Sequence, residues 1–111
     1  MRIKNSNETA SDFLAKKLGR LTLGKCIRSI RMGEEMTQEV FAQKLGISKQ
    51  QLSDIENDRK SVSPQSAAAY ADLLGYSVDQ FIKLSIQDNL AKYGLFYRVD
   101  LVPEDRRGTM L

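Results

Sequence analysis

One short stretch near the middle of the chain carries a hydrogen-bonding side chain on every residue but one. The stretch consists of Lys49, Gln50, Gln51, Leu52, Ser53 and Asp54. Together these residues supply ammonium, amide, hydroxyl and carboxylate groups. The chain contains no histidine, which excludes a Ser-His or Cys-His catalytic pair and a histidine-ligated metal site. The chemistry that the stretch favours is therefore recognition through hydrogen bonds.

The rest of the composition also argues against catalysis. Cys26 is the only cysteine, so an internal disulfide and a multi-cysteine zinc site are excluded. The sequence has neither a phosphate-binding glycine loop nor a cluster of acidic residues. We therefore expect a protein that is not an enzyme and has no catalytic residue, metal site or cofactor.

The hydrogen-bonding residues lie on the second of two predicted helices that are joined by a tight turn. Thr37 is a good N-cap for the first helix, and Gly46 suits its C-terminal end because glycine adopts a positive φ at little cost. Ser48 restarts the helix and forms a capping box with Gln51. Ala42 supplies the small side chain that two steeply crossing helices need where they touch. The predicted buried positions are Phe41, Ala42, Leu45, Leu52 and Ile55.

This spacing resembles the helix-turn-helix of the phage-repressor (Cro/C1 or XRE) family, over roughly residues 23–90. The resemblance implies an all-α fold, a five-helix lambda-repressor-like DNA-binding domain spanning residues 22–94. Further helix starts agree with it, at Thr22, at Ser63 followed by Pro64, and at Ser77. The alternative interpretation is an αα-hairpin that serves only for packing.

In this family the second motif helix enters the major groove of double-stranded DNA. The resemblance assigns base contacts to Lys49, Gln50 and Asp54. Lysine can donate to guanine O6 and N7, glutamine can form an amide fork with adenine, and aspartate can accept from cytosine N4. Phosphate repels a carboxylate, so Asp54 is alternatively expected to exclude wrong bases or to orient Lys49.

A second set of residues is expected to contact phosphates, again by resemblance. Gln38 begins the first motif helix, where free backbone N–H groups favour an anion. The complete set is Gln38, Gln51, Ser53, Asn57, Arg59 and Lys60; each of these is otherwise a solvated surface residue. Arg31 and Glu56 match a pair found in many phage repressors, and we expect them to form a structural salt bridge that does not contact DNA.

Charge and hydropathy fit this interpretation without proving it. Seventeen basic residues against fourteen acidic ones give a net charge of +3 and a pI near 9.1. That excess suits a nucleic-acid partner, although many small proteins carry as much. No apolar run approaches the roughly 18 residues of a membrane helix, and no signal peptide is visible, so we expect a cytoplasmic protein without a membrane partner.

The two ends of the chain extend beyond the predicted helical domain. Residues 1–21 are expected to form a partly helical arm, and residues 95–111 a short β-strand with a tail. Leu95, Tyr97, Val99 and Leu101 alternate with their neighbours at the period of a strand. Because a lone strand leaves its backbone groups unpaired, we expect it to pair with a second copy in a homodimer that reads a palindromic operator. The alternative is an extended tail that lies on the helices.

The C-terminal sequence also suggests a further partner. A repressor-like core that ends in GLFYRVDLV is similar to antitoxins of the HigA type. That resemblance implies a type II toxin–antitoxin role with a ribonuclease toxin as partner. The alternative is a stand-alone XRE-type transcriptional regulator with no toxin.

Overall fold

The computed structural model describes residues 20–104, and these residues form five helices. The helices are α1 (Leu23–Gly33), α2 (Gln38–Leu45), α3 (Lys49–Glu56), α4 (Pro64–Leu74) and α5 (Val78–Ala91). This arrangement confirms the all-α, five-helix prediction for the helical domain. The predictions for the N-terminal arm fall almost entirely on residues outside the described range.

Each helix begins at a side-chain cap that the sequence supplies locally. The hydroxyls of Thr22 and Thr37 accept the backbone N–H three residues ahead, at the starts of α1 and α2. Ser48 forms the complete capping box with Gln51, with hydrogen bonds in both directions. Gly46 ends α2 with φ of 74°, a conformation that favours glycine. The α2–turn–α3 unit is thus defined by its own residues.

The hydrophobic core lies between the five helices and is continuous. Leu23 and Ile27 of α1 meet Phe41 of α2, Leu52 of α3 and Phe81 of α5, and all of these side chains are almost completely buried. A core shared by every helix fixes the position of the short α3, which alone is too short to be stable in water.

Helix α1 approaches the end of α3 closely at Gly24. A Cβ atom on Gly24 would overlap the carbonyl oxygen of Ile55. Thr22 adds a hydrogen bond of 2.7 Å to Asp58 in the loop that follows α3. Helix α1 is therefore seated directly on the C-terminal end of α3.

Helix α5 ties together segments that are distant in sequence. The Ser85 hydroxyl donates to the carbonyl oxygen of Val62 at 2.6 Å, in the loop between α3 and α4. Asp88 accepts the backbone N–H of Leu23 at 2.9 Å and the guanidinium of Arg20 at 3.0 Å. These bonds attach the loop after α3 and the first turn of α1 to the same helix, α5.

The predicted C-terminal β-strand is wrong for the residues that the structure describes. Residues 95–104 are irregular, and no strand occurs between residues 20 and 104. The Val99 N–H donates to the Gln87 side chain at 2.9 Å, and Asp100 lies 3.8 Å from the ammonium of Lys83. The reason is that a strand needs a neighbouring strand to pair with its backbone, and residues 20–104 supply none; the Val99 N–H bonds to a side chain of α5 instead. The two contacts with α5 are those that the alternative, a tail lying on the helices, expects, although Phe96, Tyr97 and Val102 remain largely exposed.

Candidate nucleic-acid interface

Helix α3 has one buried side and one side open to solvent. Leu52, Ile55 and Glu56 face the protein interior, and the N-terminal residues Lys49 and Gln50 are exposed. The N-terminal turn of α3 thus projects its side chains away from the core. The structure places the predicted base-contacting residues on this open side, where a DNA groove can reach them.

Lys49 stands at the first helical position of α3. Within residues 20–104 its ammonium group has no hydrogen-bond or salt-bridge partner. It therefore keeps all of its donors for an external acceptor, which suits a guanine edge or a phosphate.

Gln50, Asp54 and Arg59 form a connected group on the open side of α3. The Gln50 amide nitrogen donates to Asp54 Oδ1 at 3.0 Å, and Arg59 Nε donates to the same oxygen at 2.9 Å. Arg59 Nη2 also donates to the Ser53 hydroxyl at 3.2 Å. Asp54 thus orients Gln50 and Arg59, and the expected link to Lys49 is not among its hydrogen bonds.

The charge state of Asp54 follows from these neighbours. The hydrogen bond from Arg59 holds the pKa of the Asp54 carboxyl below its ordinary value, and the bond from Gln50 acts in the same direction. Asp54 is therefore ionised at neutral pH and acts only as a hydrogen-bond acceptor.

Five of the six residues expected to contact phosphates lie on α3 or in the loop after it, and they differ in how far their side chains are already bonded within the protein. Arg59 and Lys60 are exposed in the loop that follows α3, where their charges face solvent. Gln51 uses its carbonyl oxygen to cap α3, and Asn57 donates to the backbone carbonyl of Ser53 at 2.8 Å. Lys60 offers an exposed charge, whereas the Arg59 guanidinium is shared between solvent and its bonds to Asp54 and Ser53. Gln51 and Asn57 already have structural hydrogen bonds.

Arg31 and Glu56 form the expected salt bridge, and Gln38, which was expected to contact phosphate, also bonds to Glu56. Arg31 donates two hydrogen bonds to Glu56, of 2.7 and 3.0 Å, and a third to the carbonyl oxygen of Met36 at 3.0 Å. The Gln38 amide donates to Glu56 at 3.0 Å. The Glu56 side chain is 1% exposed, so these donors replace the water that its charge has lost. The network joins α1, α2 and the end of α3.

Two further positioning contacts have no signal in the local sequence. Asp58 accepts from Thr22, 36 positions away, and Asp88 accepts from Leu23, 65 positions away. Neither pairing follows from a periodicity or a cap motif. They become visible only when the helices are packed.

Comparison with known proteins agrees with this geometry. Residues 27–81 match the family described as Helix-turn-helix, and this range contains all of α2, α3 and the loop with Arg59 and Lys60. The immunity repressor protein of Bacillus phage phi105 is 33% identical over 75 residues, which cover 66% of this chain and 52% of that protein. The chain therefore spans about half the length of this relative. No solved structure matches the chain significantly.

Proposed function

Because this chain belongs to the phage-repressor-like helix-turn-helix family, we propose that it is a sequence-specific DNA-binding transcriptional repressor. Its partner is double-stranded DNA. In this proposal Lys49 and Gln50 contact base edges in the major groove, while Arg59 and Lys60 contact the phosphates that flank the groove.

The observation that carries the proposal is the open N-terminal turn of α3. Lys49 and Gln50 project from a helix that is capped at its start, buried on its other side and fixed by α1 at its end. A rigid helix with exposed donors and acceptors is what direct readout of base edges requires. A hairpin used only for packing has no need of this polar, unburied turn.

Selection from a pool of random duplexes tests the proposal. The wild-type protein should enrich one sequence and bind it at least about 10³-fold more tightly than random DNA at physiological salt. The double variant Lys49→Ala/Gln50→Ala should lose the enrichment and keep its helical circular dichroism. If the wild-type protein enriches no sequence, it does not read DNA in this way.

We further propose that the repressor acts as a homodimer. Exposed apolar side chains between residues 93 and 102 supply a surface for a second copy, including Leu95 and Tyr97 of the predicted dimerisation residues. Val99 and Leu101 lie beside them and are partly buried. A two-fold dimer predicts that the selected operator is an inverted repeat with half-sites about 34 Å apart, or a multiple of that distance.

An antitoxin role is the alternative, and it rests on the resemblance of a repressor-like core with an added N-terminal arm and C-terminal strand to antitoxins. Since the strand on which that resemblance depended is absent from residues 95–104, we favour a stand-alone regulator. Co-expression with the product of a neighbouring reading frame separates the two. A ribonuclease that is toxic alone and harmless with this protein would establish the antitoxin.

A further inference from the structure

The amide of Gln50 is held in one orientation by its neighbour on the helix. Gln50 and Asp54 are four residues apart on the open side of α3, a spacing that brings side chains together. An ionised carboxylate only accepts hydrogen bonds, so it must face the NH₂ group of the amide rather than its carbonyl oxygen. Rotating the amide by half a turn would place two oxygen atoms against each other. The 3.0 Å bond therefore selects one of two amide orientations.

Asp54 is itself held in place by the loop that follows α3. Arg59 donates to the same carboxylate oxygen and also to the Ser53 hydroxyl. The backbone N–H groups of Arg59 and Lys60 both donate to the carbonyl oxygen of Asp54, at 2.8 and 3.2 Å. The loop after α3 thus folds back onto Asp54 and restricts where its carboxylate can point.

The orientation decides which hydrogen-bonding pattern Gln50 presents outward. One amide N–H is used on Asp54, so the carbonyl oxygen and the other N–H remain side by side for an external partner. One acceptor beside one donor matches the N6 amino group and N7 of adenine. Guanine presents two acceptors, O6 and N7, so one of them would be repelled by the carbonyl oxygen of the Gln50 amide.

We propose that Asp54 is a positioning residue that makes Gln50 select adenine over guanine. The inference rests on the proposed function and assigns Asp54 a role through Gln50 in place of a direct contact with cytosine. Arg59 supports the same arrangement from the loop, in addition to any contact with phosphate.

Base preference at one operator position is the measurement that tests this role. Substituting each base in turn at the position whose preference Gln50→Ala abolishes gives the ratio of adenine to guanine affinity. Asp54→Ala should lower that ratio about tenfold or more, the value of one hydrogen bond to a charged group, and leave other positions unchanged. Asp54→Asn retains an acceptor and should keep most of the preference. Asp72→Ala removes the same charge from exposed α4 and should change no base preference.

A double-variant comparison separates positioning from direct contact. In the Gln50→Ala background, Asp54→Ala should have no further effect on base preference, because its effect passes through the amide. An equal change in both backgrounds would show that Asp54 contacts the base itself and would overturn the inference. An unchanged ratio in Asp54→Ala alone would overturn it as well.

The failure of the inference is distinct from the failure of the proposed function. A wild-type protein that enriches no sequence fails the proposed function, and the inference falls with it. A wild-type protein that enriches a sequence with no adenine preference at the Gln50 position retains the function and refutes the role of Asp54.

Discussion

Among individual residues, Gln50 and Lys60 differ in what they offer to a duplex. The Gln50 amide presents a donor and an acceptor, which read one base, whereas the Lys60 ammonium presents charge alone. Gln50→Ala should weaken operator binding by roughly 1–3 kcal/mol and relax preference at one position. Lys60→Ala should weaken binding to all DNA and lower the slope of log affinity against log salt by about one. Titrations at several salt concentrations measure both effects; a loss of base preference in Lys60→Ala would contradict the assignment.

The buried pair of Arg31 and Glu56 makes a different prediction, about stability. Removing the arginine leaves a carboxylate with 1% exposure, and within residues 20–104 its one remaining side-chain donor is the Gln38 amide. Arg31→Met should therefore lower the free energy of unfolding by about 3–5 kcal/mol. Arg31→Met with Glu56→Leu should recover much of that loss, since apolar packing replaces the ion pair. Urea denaturation measures the cycle, and additive losses would mean that the two side chains act independently.

At the level of elements, the close packing of α1 on α3 requires a glycine at position 24, because no Cβ atom fits there. Gly24→Ala forces a methyl group against the Ile55 carbonyl, so the two helices must separate. We expect a loss of about 1–3 kcal/mol in the free energy of unfolding, the usual cost of overpacking, together with weaker operator binding. Gly33→Ala is the matched control, because no atom of another element within residues 20–104 lies within 4 Å of the place that its new methyl group would occupy. That variant should be as stable as the wild type or up to about 1 kcal/mol more stable. Equal behaviour of the two variants in thermal unfolding would exclude a close α1–α3 contact.

The elements also show what the sequence could and could not predict. The helix starts at Thr37, Ser48 and Ser63 were predictable because a cap depends on residues within one turn of it. The strand prediction for residues 95–101 was wrong because alternation describes side chains only, whereas strand formation depends on a partner for the backbone. For the interface, the exposed positions of α3 were predictable from periodicity. The bond of Asp54 to Arg59 and that of Gln38 to Glu56 were not, because they depend on how a loop and a neighbouring helix pack.

For the whole molecule, the proposed homodimer requires that exposed apolar side chains of the C-terminal segment become buried between the two copies. The Tyr97 side chain is 66% exposed, and burying it against a second copy would favour association. Tyr97→Ser should therefore shift the protein toward monomer in sedimentation and reduce operator affinity, with the helical content unchanged. Leu73→Ser is the control, since this leucine is 53% exposed and belongs to α4, outside the C-terminal segment. An equally stable dimer in Tyr97→Ser would move the interface elsewhere.

The carboxylate of Asp88 should affect local unfolding at the start of α1, and hence hydrogen exchange there. The N–H of Leu23 lies in the first turn of α1, where helices ordinarily fray and exchange their amide hydrogens quickly. Here it donates to a side chain 65 positions further along the chain. Its hydrogen can exchange with deuterium only when α1 separates from α5. We therefore expect the Leu23 amide to be protected almost as strongly as the core, and Asp88→Ala to abolish that protection while the centre of α1 keeps its own. Rapid exchange of this amide in the wild-type protein would show that the first turn of α1 opens independently of α5.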